Sequence, residues 1–560
     1  AQAMLRLAVV VAACLPIVVH NAITGEELRP WYHFTRQSGE MNDPNGLQWR
    51  YRDGAVSYEL FYQHNNGSTA CYGSEGNGVV WGHATSPDLV RWTRLPDTAH
   101  MVCASTGAGI TLPPGFKGPS GESWLSANLG SAPAMKPRDM SIGRGLKLWT
   151  SNASDLNEYI EYLPLGTSTV DNTTGQNDAC VICPAGVRPG PSNPPVWTRA
   201  ADIGDSYIFS EPRWNVPSDN RTFYALSGQG RCPPGGPPMW CGWEKGREPQ
   251  VLLWSSKNLV DWRFVSEFYN GTTDDFTAVM TPETFTFHSG EQAFIWLGSH
   301  NSLWVTGQVT FRDGELYQFV EQQYNGNPSM GWVDPGGGAH CGQSMWDARG
   351  RRVQFMWLRL NIPDANYTGA QTIAREIVIA PPGSVTGLLF RPLPEMTTLH
   401  APGAPIVDEA LTLTPGEDRV FVPSDGLHCH IRATMKIPTD SSLDFDIVLT
   451  IRDSDPASSL GGGSLPIVIS QRSGQRFVGF GRSRASLTLG QEILLEVFVD
   501  GVLTEVFANG GERVLTHSAT GPVSDTHVRL AANATVGVQL ILWGMARSIS
   551  DAAERAQDVL

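Results

Sequence analysis

The chain contains the string Pro30-Trp31-Tyr32-His33-Phe34 and, a short step later, Met41-Asn42-Asp43-Pro44-Asn45-Gly46. Asp43 stands between an amide side chain and a Pro-Asn-Gly turn signal, which predicts a carboxylate at the tip of a first strand with amide partners beside it. Hydrogen bonds to the ionised form keep such a group a carboxylate, the state a nucleophile needs. The string also reads simply as a turn that Asp43 caps. Cys180-Val181-Ile182-Cys183 has the spacing of a zinc or redox pair. No second pair at zinc spacing follows, and Cys232 and Cys241 are wrongly spaced for one, so a loop disulfide is the expected use. No cofactor or metal is expected.

The elements that must position Asp43 are strands. Short apolar or alternating runs recur between Gly, Pro, Asn and Asp turns: Val56–Gln63, Val79–Thr85, Gly145–Thr150, Ser206–Phe209, Thr222–Ser227, Val251–Ser255, Ala293–Leu297 and Arg352–Leu358. This spacing without intervening helices predicts a propeller or a sandwich. The segment from Trp81 to Trp92, with its Ser86-Pro87-Asp88-Leu89-Val90 turn, has an echo from Leu253 to Trp262. Two copies of one strand-turn-strand unit fit two blades of a propeller. Pro113–Glu122, Cys180–Pro195 and Cys232–Pro238 read as long surface loops. Between Pro381 and Glu395 the pattern changes, and strand-like runs at Phe445–Ile451, Leu465–Ser470, Ile493–Val499 and Leu503–Phe507 predict a second all-β domain.

A chain of 560 residues exceeds what one core usually holds, which is about 250–300 residues. Its 59 Gly, 39 Pro and 18 Trp favour short strands joined by tight turns. A net charge of −15 argues against nucleic acid or an anionic membrane as the main partner, since either requires a basic face. A neutral substrate such as a sugar suits it. The apolar run Leu7–Val19 after Arg6 reads as a signal peptide or a single N-terminal anchor within residues 1–25. Outside it lie Cys71, Cys103, Cys180, Cys183, Cys232, Cys241, Cys341 and Cys429, an even set expected to form disulfides. Sequons at Asn66, Asn152, Asn172, Asn220, Asn270, Asn366 and Asn533 point the same way. The expected location is secreted or lumenal.

Taken together, the motifs resemble glycoside hydrolase family 32, the β-fructofuranosidases. Met41-Asn42-Asp43-Pro44-Asn45-Gly46 is similar to the family's nucleophile motif. It is followed in order by Phe61-Tyr62-Gln63-His64-Asn65, Trp81-Gly82-His83-Ala84 and Ser105-Thr106-Gly107-Ala108, the last similar to a Ser-Gly-Ser-Ala segment. Phe498-Val499-Asp500-Gly501 and Glu505–Arg513 match the family's C-terminal sandwich. The resemblance covers about residues 30–545 in collinear order. It implies an all-β chain: a five-bladed β-propeller over 26–385, a linker over 386–399 and a β-sandwich over 400–550. It also implies a retaining mechanism in which Asp43 attacks the anomeric carbon of a fructosyl unit. Asn42, Gln63, Trp81 and Ser105 would line the pocket, Trp81 offering an apolar face to sugar C–H groups; Gln63 and Trp81 also read as an ordinary strand polar residue and a core aromatic.

Two motifs depart from the family. Where an Arg-Asp-Pro is expected the chain reads Phe209-Ser210-Glu211-Pro212, so Glu211 would supply the ring-stabilising carboxylate, with Arg213 as a possible compensating cation. Where the acid/base Glu is expected, Val279-Met280-Thr281-Pro282-Glu283-Thr284-Phe285 aligns Met280. A thioether neither protonates a leaving oxygen nor activates water. Glu283 could take over only if the strand is rearranged, because strand residues an odd number apart point to opposite faces; Asp274 and Asp275 are further candidates. General acid–base catalysis contributes about 10²–10⁴-fold, so its loss would leave a slow enzyme. Three readings stay open: a fructosidase or fructosyltransferase acting on small fructosides such as sucrose and short fructans, a carbohydrate-binding homologue without turnover, and an interaction scaffold.

Overall fold

The computed structural model describes residues 26–52, 54–65, 80–98, 108–111, 124–130, 145–150, 160–164, 207–209, 222–230, 249–257, 262–271, 280–287, 289–297, 302–360, 362, 364–437, 442–453, 464–481 and 483–551. Their strands form seven sheets, five of them the blades of a propeller and two the layers of a sandwich. Blade 1 runs outward through Gly39–Arg52, Ala55–Asn65, Val80–Ser86 and Trp92–Thr98. Blade 2 is Ala108–Thr111, Trp124–Gly130, Gly145–Thr150 and Ile160–Pro164; blade 3 is Tyr207–Phe209, Phe223–Gly230, Pro249–Ser256 and Trp262–Asn270. Blade 4 is Met280–Thr286, Gln292–Leu297, Ser302–Arg312 and Glu315–Glu321; blade 5 is Ala339–Trp346, Arg352–Leu358, Arg375–Ile379 and Leu388–Pro392. The first strand of each blade lies beside the first strand of the next, and Ala339–Trp346 returns beside Gly39–Arg52, closing the ring.

The Trp81–Trp92 unit shows why the repeat folds as it does. Ser86 Oγ accepts the backbone N–H of Leu89 at 2.7 Å, and Asp88 Oδ1 accepts that of Arg91 at 2.7 Å. These side-chain bonds replace ladder bonds at the turn. The chain is thereby returned to a strand beginning at Trp92, whose buried ring packs on Phe34 and Phe355. Of the echo at Leu253–Trp262, residues 258–261 lie outside the described residues.

Two sheets of six strands follow. Along Phe445–Asp453 and Val536–Gly544 burial alternates, the mark of strands with one face on a core. Ile431, Leu449, Ile467, Leu495, Leu530 and Leu542 meet between the layers. The expected linker over 386–399 is corrected in part: Leu388–Pro392 is the fourth strand of blade 5, and the connection to the first sandwich strand, Val407–Leu413, begins with the 3-10 turn Pro394–Leu399. Pro392 and Pro394 end the strand rather than mark an unstructured segment. Of the eight cysteines expected to form disulfides, Cys341 and Cys429 are buried, and the other six lie outside the described residues.

The sandwich also fixes the approach to blade 1. The backbone N–H groups of Trp31, Tyr32 and His33 donate to the Asp500 carboxylate at 2.6, 2.9 and 2.7 Å. His33 spans two carboxylates, Nδ1 at 2.9 Å from Asp500 and Nε2 at 3.0 Å from Glu505. Arg375 of blade 5 donates to Glu505 at 2.6 Å, and Ile373 N–H reaches the same group at 2.7 Å. At the far end Ile549–Asp551 adds a parallel strand to the outer edge of blade 1. Among the described residues no helix is long and apolar enough to cross a membrane.

Candidate active site

Asp43 lies inside the strand Gly39–Arg52 rather than at a turn. The turn-like string is absorbed as two β-bulges. Met41 pairs with His64 and Pro44 with Tyr62, so Asn42 and Asp43 together oppose Gln63; Asn45 pairs with Phe61 and Gln48 with Glu59, so Gly46 and Leu47 together oppose Leu60. Pro44 has no N–H for the ladder, and Gly46 takes φ +55°, which is why this sequence bulges where it does.

The first bulge decides which side chains share a face. Met41 lies on the face that packs with Tyr62 of the same blade and with Met345 and Phe355 of blade 5. Glu40 pairs with Asn65 on the opposite face, where Gln63 also lies. Because Asn42 and Asp43 both oppose Gln63, the bulge turns Asp43 to that same face. Trp81 pairs with Gln63 on the next strand and shares the face too. Four positions picked from the sequence, Asn42, Asp43, Gln63 and Trp81, thus come together beside Glu40 and Asn65, with Asp43 only 5% exposed.

The surroundings hold this face rigid. Trp81 is fully buried and packs on Phe61, which stacks on His83 with centroids 4.3 Å apart. His83 Nε2 lies 2.6 Å from Glu59, a carboxylate that also accepts from Ser57 Oγ at 3.0 Å. Gly82 sits over the Tyr62 ring, where a Cβ would fall 2.1 Å from a ring carbon. Asn42 is tied on both sides: Gln371 Nε2 donates to its carbonyl at 2.8 Å, and its side-chain amide donates to Glu40. Its buried Oδ1 has no hydrogen-bond partner among the described residues. Glu40 is 4% exposed. Burial pushes its carboxyl up to about 7, against the pull of the Asn42 amide.

Glu283 stands in a different setting. Met280 pairs with Leu297 and Glu283 with Ile295, so Thr281 and Pro282 form a bulge opposite Trp296. That bulge is the rearrangement needed to put positions 280 and 283 on one face of blade 4. Yet the Glu283 side chain is fully buried and committed. Ser344 N–H donates to its two oxygens at 2.9 and 3.0 Å, Ser344 Oγ donates as well, and Arg352 Nη2 donates at 3.3 Å. Burial raises its pKa, with Arg352 and Ser344 opposing. Arg352 also donates to the Tyr207 hydroxyl at 3.1 Å, so the network joins the first strands of blades 3, 4 and 5. Glu211, Arg213, Ser105, Asp274 and Asp275 lie outside the described residues. Sequence reading missed Glu40, Ser344 and Arg352. Only Glu40 carried a local signal, as an acidic residue on the strand of Asp43.

Comparison with known proteins bears on this arrangement. The model of the glycosyl hydrolases family 32 N-terminal domain matches residues 33–101 and 238–392. Over 558 residues the chain is 23% identical to a levanase of Bacillus subtilis, covering 93% of this chain and 71% of that one. It is 23% identical to an extracellular exo-inulinase of Aspergillus niger, covering 94% and 96%. The structure of fructan 1-exohydrolase IIa from Cichorium intybus superposes with a TM-score of 0.64 at 17% identity, covering 94% of this chain and 99% of that one. Family model, collinear relatives and fold agree in the family this chain is similar to, glycoside hydrolase family 32.

Proposed function

We propose that this protein is a retaining glycoside hydrolase acting on β-fructofuranosidic bonds in sucrose and short fructans, with Asp43 as nucleophile. The observation that carries the reading is the bulge at Asn42-Asp43, which aligns Asp43 with Gln63 and Trp81 on one face of the first strand of the ring. A carboxylate there attacks the anomeric carbon, while Trp81 and Gln63 bound the fructosyl ring and Asn42 Oδ1 is available to a sugar hydroxyl. Glu211 is proposed from its place in the motif order as the carboxylate that steadies the ring, with Arg213 as its compensating cation and Ser105 as a further substrate-binding residue. Relatives named levanase and exo-inulinase support the substrate class.

The location that fits this chemistry is outside the cytosol. Asn366 and Asn533, both acceptors in Asn-x-Thr strings, are exposed at bends, open to a glycan. The protein is therefore taken from the medium of a eukaryotic secretory host. Asp43→Asn is expected to abolish release of fructose from sucrose and short inulin while the thermal unfolding curve stays at that of the wild type. An Asp43→Asn protein that still turns over at the wild-type rate would make another residue the nucleophile.

A further inference from the structure

Sequence alignment leaves the acid/base place occupied by Met280, and the nearest replacement on that strand, Glu283, is fully buried and bonded to Arg352 and Ser344. A retaining mechanism still needs a second carboxyl group close to the nucleophile, about 5–5.5 Å away in glycosidases. Among the described residues on the face of Asp43, one other carboxyl-bearing side chain stands at the head of the same strand. On the reading that Asp43 is the nucleophile, we propose that Glu40 is the proton donor and acceptor of the reaction.

Three observations converge on Glu40. Its ladder position opposite Asn65 places it on the side to which the bulge turns Asp43, so the two carboxyl groups face one way despite their odd separation in sequence. Its carboxyl is held by the amide of Asn42, the residue that shares the bulge with Asp43. It is buried to 4% exposure at the start of the strand, where Gly39 N–H is fixed to the Asn366 carbonyl at 2.9 Å. Glu59, which shares the face, is bonded to His83 and Ser57 and sits further along the blade. The same burial that raises the carboxyl to about 7 keeps a proton on it at the pH of the reaction, the condition for a general acid.

The step balances without further reagents. Asp43 forms a bond to the anomeric carbon as the bond to the leaving oxygen breaks, and Glu40 gives its proton to that oxygen. Glu40, now a carboxylate, then takes a proton from water, whose oxygen displaces Asp43 and releases fructose with both groups restored.

The test compares wild type, Glu40→Gln and Asp43→Asn on sucrose and on β-fructosyl fluoride, whose leaving group needs no proton. For Glu40→Gln the expected result is a loss of about 10²–10⁴-fold in kcat/KM on sucrose, a far smaller loss on the fluoride, and absence of the alkaline limb expected of the wild type near pH 7. On the fluoride, where the fructosyl-enzyme still forms, added azide, which needs no base, is expected to raise its turnover by giving fructosyl azide. Asp43→Asn is expected to be inactive on both substrates. Glu40→Asp keeps an acid one methylene shorter and should retain the alkaline limb at reduced rate, which separates proton transfer from folding. If Glu40→Gln hydrolyses sucrose like the wild type while Asp43→Asn is dead, the role of Glu40 is overturned and that of Asp43 stands. If Asp43→Asn is active, or the wild type hydrolyses neither substrate, both fall.

Discussion

At the scale of residues, the two glutamates raise opposite expectations from similar burial. Glu283 pairs with Arg352 in a dry network, so replacing it leaves an uncompensated guanidinium; breaking such a buried pair costs about 3–5 kcal/mol. Glu283→Gln is therefore expected to lower the thermal midpoint by several degrees and to reduce turnover on sucrose and on fructosyl fluoride in equal proportion. Loss on sucrose alone would show that Glu283 handles a proton. Calorimetry with both substrates checks this. Asn42, Asp43, Gln63 and Trp81 could be singled out from sequence because their residue types recur together in one motif order. Glu40 could not, because its significance depends on which face of the strand Asp43 uses, and the partners of Glu283 lie on strands some sixty residues away.

At the scale of elements, the strands were legible and their irregularities were not. Alternation and turn residues located Ala55–Asn65, Gly145–Thr150 and Arg352–Leu358 closely. The parity rule that separates positions 280 and 283 assumes an unbroken ladder, and the bulge over Thr281-Pro282 reverses it. The bulge at Asn42-Asp43 does the same on the first strand of the ring. Bulges depend on how a Pro or Gly is accommodated opposite a partner strand, which a single strand's pattern does not specify. Gly82 shows how tightly such strands are set. A methyl group there would meet the Tyr62 ring, and overpacking of this kind costs about 1–3 kcal/mol. Gly82→Ala is expected to lower thermal stability by that amount and to raise KM for sucrose, since Trp81 and His83 on either side would be displaced; unchanged KM would place Trp81 outside the pocket.

At the scale of the whole molecule, propeller and sandwich are joined by buried charges whose protonation sets a pH window. The motif at Trp31-Tyr32-His33 was legible as a marker, but its work was not, because Asp500 and Glu505 lie more than 460 residues away. Burial alone would push His33 down; its bonds to Asp500 and Glu505 outweigh that and raise it to about 9. A raised histidine contributes stability that is full below its unfolded value of about 6.5 and is lost as pH climbs through about 9. Asp500 is held low by His33, and Glu505 by Arg375 and His33, both against burial; their contribution is present above the ordinary carboxylate range and is lost as pH falls through their lowered values. A second element sits on the acid side. His400 Nε2 and His430 Nδ1 meet at 3.0 Å, with Trp543 stacked on His400 and Phe498 on His430. Burial, then His400 and Arg432, lowers His430 to about 3, so its contribution is full above about 6.5 and declines as pH falls below it. Facing this pair are Arg432 on its own strand and Glu496, whose carboxylate is 3.8 Å from His430. Stability of the intact chain is therefore expected to peak near pH 6.5, to fall as pH rises from there to about 9 and to fall as pH drops below it. His33→Gln should remove the alkaline fall along with much of the peak, whereas His430→Phe should flatten the acid fall and leave the alkaline one in place. Denaturant unfolding from pH 4 to 10 decides it, and an alkaline limb that survives in His33→Gln would mean that the imidazolium does not hold the two layers together.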